Sequence, residues 1–391
     1  MSGSTSSPPP LRTEVVIIGG GVMGASVAYQ LARAGVTDVV LLEAGELAGG
    51  SSGKPLGGVR AQFSDPANIE LGVRSLRVFQ GFAGDLHVDI GLQQVGYLFA
   101  LRDQNDVAAF EAGIALQNEM GAPGRMVDAA EAAALCPYLS KEGLVAAAWS
   151  PEAGFARPTD VVRGFLEAAS AMGVQVRTHT SVIGIREATG RHAVVETSAG
   201  QMFLAEAVIC TAGAWSGRVG GLAGVDLPIE PLRRQIVFTP PIAGRPSSLP
   251  FTIDYSSTAY FHGSENGGML AGWADPDESV GFDTGVTTSW HAPLRETLRL
   301  FAPDLADVPF SSGWAGLYEM TPDCNALIGE AGPGFRFLYA AGFSGHGFLQ
   351  SPAVGECVTA LYLGRVPPVD VSPFDARRFR RPAVRTELAI I

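Results

Sequence analysis

"EVVIIGGGVMGASVAYQLA", Glu14–Ala32, decides the fold. Val15 to Ile18 form an unbroken apolar run without polar alternation, as expected of a strand buried on both faces of a parallel sheet. The run stops at three glycines, and from Gly21 onward the apolar residues recur at helical spacing. "DVVLLE", Asp38–Glu43, reads as a second buried strand, which completes a strand–helix–strand unit. Gly19, Gly21 and Gly24 stand as G-x-G-x-x-G at the first turn. The first glycine permits the tight turn, the second lets backbone approach a pyrophosphate, and the third allows close helix–strand packing. The helix N-terminus then offers N–H groups to phosphate oxygens. Glu43 closes the next strand on the order of 20 residues further on, where a carboxylate accepts from a ribose 2′-hydroxyl. That carboxylate favours an unphosphorylated ribose, so NAD or FAD rather than NADP.

The segment after Glu43 separates these two cofactors. "ELAGGSSGKPLGGVRAQF", Glu46–Phe63, is a loop of small residues containing Ser51, Ser52, Lys54, Gly57 and Gly58 and closed by Arg60. Such a loop can lie along a pyrophosphate and a flavin ring. A plain nicotinamide dehydrogenase has no need of it.

Composition narrows the remainder. The 391 residues are 47% hydrophobic and 17% charged, which suits a globular chain with a large core. A net charge of −12 argues against nucleic acid and against anionic membrane surfaces. The most apolar stretch is broken by glycines, so no membrane span and no secretory signal are expected. The four cysteines, Cys136, Cys210, Cys324 and Cys357, show no metal-ligand spacing, so no metal is expected and the compartment reads as cytoplasmic.

Residues 1–12, "MSGSTSSPPPLR", read as a disordered tail. "RPTDVVRGFLEAASAMG", Arg157–Gly173, reads as a helix with Pro158 in its first turn and a glycine past its end. Alternating runs separated by "EATGR" and "TSAGQ" suggest an antiparallel flap, and "AEAVICTAGAWS" another buried strand ending in a glycine turn. From "EPLRRQIVFTPP" to "AYFHGSENGGMLAGWA" the strands are antiparallel in style, with "ENGG" a hairpin turn. Parallel-type segments at the start, middle and end, with antiparallel material between them, indicate one domain threaded by a second.

"VVIIGGGVMGASVAYQLA", "GGVRAQF", "GWAGLYEMTPD" and "AAGFSGHGF" occur in this order over most of the chain. Together they resemble the D-amino-acid-oxidase-like superfamily of FAD enzymes, and within it the β subunits of sarcosine oxidase and proline dehydrogenase. The resemblance implies an α/β fold in which a Rossmann-like FAD-binding domain (13–85, 150–225 and 320–391) is interleaved with a substrate domain on a mostly antiparallel sheet (86–149 and 226–319). It implies non-covalent FAD, because Gly316 stands where monomeric sarcosine oxidases carry a flavin-tethering cysteine. The implied activity is oxidation of a small, preferably secondary amino acid by hydride transfer to flavin N5, giving an imine. Two other roles stay open: the flavin subunit of a heteromeric complex with a partner subunit or electron acceptor, and a non-catalytic FAD-binding assembly factor.

By the same resemblance Gly342, Gly345, His346, Gly347, Phe348 and Leu349 place a helix N-terminus at the flavin N1/C2=O edge. Negative charge arriving there would be stabilised by roughly 0.3–1 kcal/mol, or ~2 kcal/mol in a buried geometry. His346 is either a further donor or a packing residue. Ala44, Val182, Ala212, Gly213 and Trp215 complete the implied cofactor set. Arg60 matches an arginine that binds the substrate carboxylate, and Tyr318 an active-site tyrosine. Tyr260 and His262 alternate along one strand, so one of them is expected to face the flavin. Leu349 and Leu270 stand where relatives carry lysines that hold the carboxylate and activate dioxygen, so an acceptor other than dioxygen is expected.

Overall fold

The computed structural model describes residues 9–54, 56–380 and 386–387. Its first sheet is built outward from Leu11–Ile18, which pairs in parallel with Met202–Cys210 on one side and Val39–Leu42 on the other. Arg336–Ala341 and Gln175–Arg177 extend the parallel sheet at either end. Leu327–Ala331 adds an antiparallel edge strand. The expected flap is present: Val182–Glu187 and Ala193–Thr197 pair antiparallel with each other, and the latter with Met202–Cys210. Val15, Val16 and Ile17 are fully buried, as the unbroken apolar run requires.

Residues 1–8 of the expected tail lie outside the described residues. Leu11 and Arg12 are not tail but strand, in register with Phe203 and Leu204. Backbone pairing with a neighbouring strand outweighs the weak local preference of a polar start.

One face of this sheet is covered by helices. Val22–Arg33 lies against both Pro158–Ala171 and Gly347–Tyr362, and Pro66–Leu86 also packs on the last of these. Val27, Ala28 and Leu31 of the first helix share a buried apolar cluster with Ala353, Val354 and Val358 of the last. The last helix is apolar nearly all round, which fits its position between other elements.

The second sheet also has 8 strands. It draws on Tyr97–Leu101, Arg125–Val127, Ala146–Ser150, Glu230–Phe238, Phe251–Asp254, Ala259–Gly263, Met269–Gly272 and Ser312–Met320. Every pairing is antiparallel except Phe251–Asp254 with Tyr97–Leu101. Apolar clusters cover both of its faces. The fold is thus α/β: a Rossmann-like parallel sheet interleaved with a mostly antiparallel one. Among the described residues no helix is long and apolar enough to cross a membrane.

Candidate active site

A cavity of about 990 Å³ is lined from both sheets. One end is built by the dinucleotide loop. Gly24 does not line the cavity; a Cβ there would stand 1.9 Å from the Gly19 carbonyl oxygen and 2.8 Å from Thr211 Oγ1. The third glycine therefore serves helix packing, as its place in the motif predicts. Gly19, Gly21, Glu43 and Ala44 do line it. The Glu43 carboxylate accepts from the Gly20 N–H at 2.7 Å and the Gly45 N–H at 2.8 Å, which fixes it at the strand end. Ser52 Oγ accepts from the Val22 N–H at 2.9 Å, so the serine loop lies directly over the helix N-terminus. Val182, Ala212, Gly213 and Trp215 complete this end.

The small-residue loop is stitched to the second sheet. Ser51 Oγ donates to the Leu317 carbonyl at 2.6 Å, and Trp314 Nε1 donates to the Lys54 carbonyl at 3.0 Å. Gly316 lies against Lys54, with no nucleophile at the tether position. Lys54, Gly57 and Gly58 line the cavity beside it.

At the other end, Gly345 to Leu349 line the cavity at the start of the last helix, whose N-cap residue, His346, makes no side-chain cap. Gly345 has φ +100, and a Cβ on it would come within 2.6 Å of the Tyr318 ring. Only glycine brings the chain this close without strain. The His346 ring stands edge-on to Phe63 with centroids 5.0 Å apart. Gly342, expected at the cofactor, does not line the cavity; its N–H donates to Glu319 at 2.9 Å.

Arg60 is buried at the cavity wall, its guanidinium carbon 4.5 Å from the Phe63 centroid and 5.6 Å from that of Phe99. It donates to the Gln62 carbonyl. Burial draws its pKa down, and nearby Tyr97, Glu387 and Tyr318 oppose that shift. Tyr318 and Tyr260 line the same end, and burial raises both phenols, so they are neutral hydrogen-bonding groups near neutral pH.

His262 is a correction. Its ring packs between Phe155 (4.7 Å) and Phe251 (4.8 Å), Nδ1 is 2.8 Å from the Gly263 carbonyl, and it does not line the cavity. Burial pushes it down to about 4, so it is neutral. Of the alternating pair, Tyr260 faces the cavity and His262 belongs to the core. Leu270 also sits behind the wall, in the apolar cluster of Tyr260 and Ile236, and does not touch the cavity.

Among the lining residues that the sequence did not single out are Tyr97, Arg234 and Glu319. Tyr97 looks like any strand aromatic, but the "RR" of "EPLRRQ" carried a usable signal. Adjacent residues of a strand point to opposite faces, so one of two consecutive arginines had to face inward. Glu319 accepts from the backbone N–H groups of Gly342 and Phe343, and burial pushes it from 4.5 up to about 7. The folded protein therefore holds a proton that the unfolded chain releases. Stability from this group is complete below about pH 4.5 and is lost as pH rises through 7, by roughly 3 kcal/mol in all. In the FAD-free protein, Glu319→Gln should gain melting temperature relative to wild type between pH 5 and pH 8. A difference independent of pH would refute the assignment.

The cavity suits FAD: a glycine turn at a helix N-terminus, a fixed carboxylate at the second strand end, and a second helix N-terminus facing the opposite end. Similarity to known proteins agrees. Residues 14–361 match the family model described as FAD dependent oxidoreductase. The chain is 30% identical to FAD-dependent oxidoreductase domain-containing protein 1 of Bos taurus, covering 96% of this chain and 86% of that one. It is 25% identical to sarcosine oxidase subunit beta of Rhodobacter capsulatus, over 96% and 90% of the two chains. The solved L-proline dehydrogenase of P. horikoshii superposes with a TM-score of 0.90 at 31% identity, over 96% of this chain and 100% of that one. The chain belongs to the FAD-dependent oxidoreductase family.

Proposed function

We propose that this protein oxidises a small amino acid at its CH–NH bond, with preference for a secondary amine. The observation that carries the reading is Arg60, buried in an aromatic surround at the cavity end away from the dinucleotide loop. A planar guanidinium held this way suits a carboxylate. The similarity to proteins named for sarcosine and L-proline, both secondary amines, supports the substrate class.

In this reading the first sheet and its helices hold the dinucleotide, and the second sheet supplies the wall against which the amino acid rests. Bound FAD supplies the hydride acceptor for Cα, and the substrate leaves as an imine. Arg60 fixes the carboxylate. Tyr318 orients the amine or carboxylate through its neutral hydroxyl, and Tyr260 and Tyr97 keep water from that end. An amine that binds neutral needs no side-chain base. The backbone N–H groups of Gly345, Gly347 and Phe348 are offered to negative charge, while that of His346 donates to the Phe343 carbonyl. The four cysteines are free, which accords with a reducing compartment such as the cytoplasm.

Similarity to a named subunit favours a second reading, in which the same chemistry occurs inside a complex and electrons pass to a partner. Anaerobic mixing of the holoprotein with amines tests the main proposal. N-methyl and cyclic amino acids should bleach the flavin absorbance, and the matching amines without a carboxylate should not. No bleaching by any amino acid would overturn it.

A further inference from the structure

Glu230–Phe238 carries two consecutive arginines with different surroundings. Arg233 is neutralised: Glu278 and Asp283 each lie 2.9 Å from its guanidinium. Arg234 lines the cavity and forms no ion pair with any described residue. Its Nη1 donates to the Arg233 carbonyl at 3.2 Å, and its guanidinium carbon lies 5.4 Å from the Tyr318 centroid. Its Nε is buried without a hydrogen-bond partner among the described residues. Arg234 is half-buried, and a guanidinium N–H kept from water without an acceptor is costly, so it is retained where a ligand supplies one.

The ligand is not the dinucleotide phosphate. That group belongs at the glycine turn, whereas Arg234 shares its wall with Ile236, Phe251, Tyr260 and Tyr318, all from the second sheet. Nor is the acceptor Glu319, whose carboxylate is held by backbone N–H groups. Arg60 and Arg234 both act electrostatically on Tyr318, so two cations face one end of one cavity.

We propose that Arg234 forms a second anion subsite and that the preferred substrate is an amino acid bearing a second carboxylate. Resting on the amine-oxidising reading above, Arg60 takes one carboxylate and Arg234 the other, with the reacting CH–NH bond between them. The phenol of Tyr318 lies beside both.

The test compares anaerobic reduction of the holoenzyme flavin by N-methyl-L-glutamate and N-methyl-L-norvaline, which match closely in length and differ in the distal charge. Wild type should favour the diacid at least tenfold, and Arg234→Gln should lower that ratio by about a hundredfold. Arg234→Lys keeps the charge but loses the planar fork, so the ratio should fall by about tenfold. The lysine variant decides the matter if the glutamine variant fails to retain FAD. A wild-type preference for the neutral side chain, or a ratio unchanged in either variant, overturns the inference. If neither amine reduces the flavin, the wider amino-acid panel decides the amine-oxidising reading, and the subsite is judged by binding alone. Glutarate should then perturb the oxidised flavin spectrum at a concentration at least tenfold below valerate, with the preference lost in Arg234→Gln. Equal affinities for the two acids would end the proposal.

Discussion

Alanine at Arg60 should lower kcat/KM for an amino-acid substrate by about 3 kcal/mol, on the order of a hundredfold, while the flavin stays bound. The size follows from burial. Arg60 sits among Phe63, Phe99, Tyr97 and Tyr318, where water contributes little screening, so a carboxylate there interacts with it more strongly than in solvent. Its loss leaves the substrate carboxylate buried without a partner, which is costlier than losing the contact alone. Steady-state kinetics with the best amino acid, alongside flavin content and melting temperature, separates this from a packing defect. A variant that keeps its kcat/KM, or a wild type that oxidises carboxylate-free amines equally well, removes Arg60 from substrate binding.

The second large effect is expected at Gly24. An alanine methyl would stand 1.9 Å from the Gly19 carbonyl oxygen, a distance no neighbour can accommodate by a small shift, because the obstacle is backbone. Overpacking of this kind costs ~1–3 kcal/mol, and here it must push the first helix away from the loop that would cradle the pyrophosphate. FAD affinity should fall by on the order of tenfold or more, since the helix N-terminus and the glycine turn no longer act together. Purified Gly24→Ala should emerge largely colourless from gel filtration and melt at a lower temperature than wild-type apoprotein. Full flavin occupancy with an unchanged melting temperature would show that the helix can shift at no cost.

How far the sequence reached depends on how local each signal is. The strand–helix–strand unit was legible because apolar periodicity, the glycine spacing and Glu43 all speak of the same few dozen residues. The flap and the "ENGG" hairpin were legible for the same reason. The wall of the second sheet was not, because its side chains meet only after distant strands pair. Tyr97 and Phe251 share that wall by a parallel pairing across strands far apart in the chain. His262 shows the limit of a two-residue period. Alternation places Tyr260 and His262 on one face but cannot say where along that face the cavity ends, and it ends between them. Gly342 shows the same for a glycine cluster: it is expected at the cofactor with Gly345, His346, Gly347 and Phe348, yet it anchors Glu319.

The packing of the first helix on the last has a consequence for the order in which the molecule can be made. Val27, Ala28 and Leu31 emerge from the ribosome more than 300 residues before Ala353, Val354 and Val358, which cover them. At ~5–20 residues per second the interval is roughly tens of seconds. For that time the face of the first helix that the last helix covers stays open, and the nucleotide turn has no opposite wall. Gly345–Leu349 are also late, so the cavity closes only when the last helix docks. Cofactor capture is therefore expected only once Gly345–Leu349 have been made and the last helix has docked on the first.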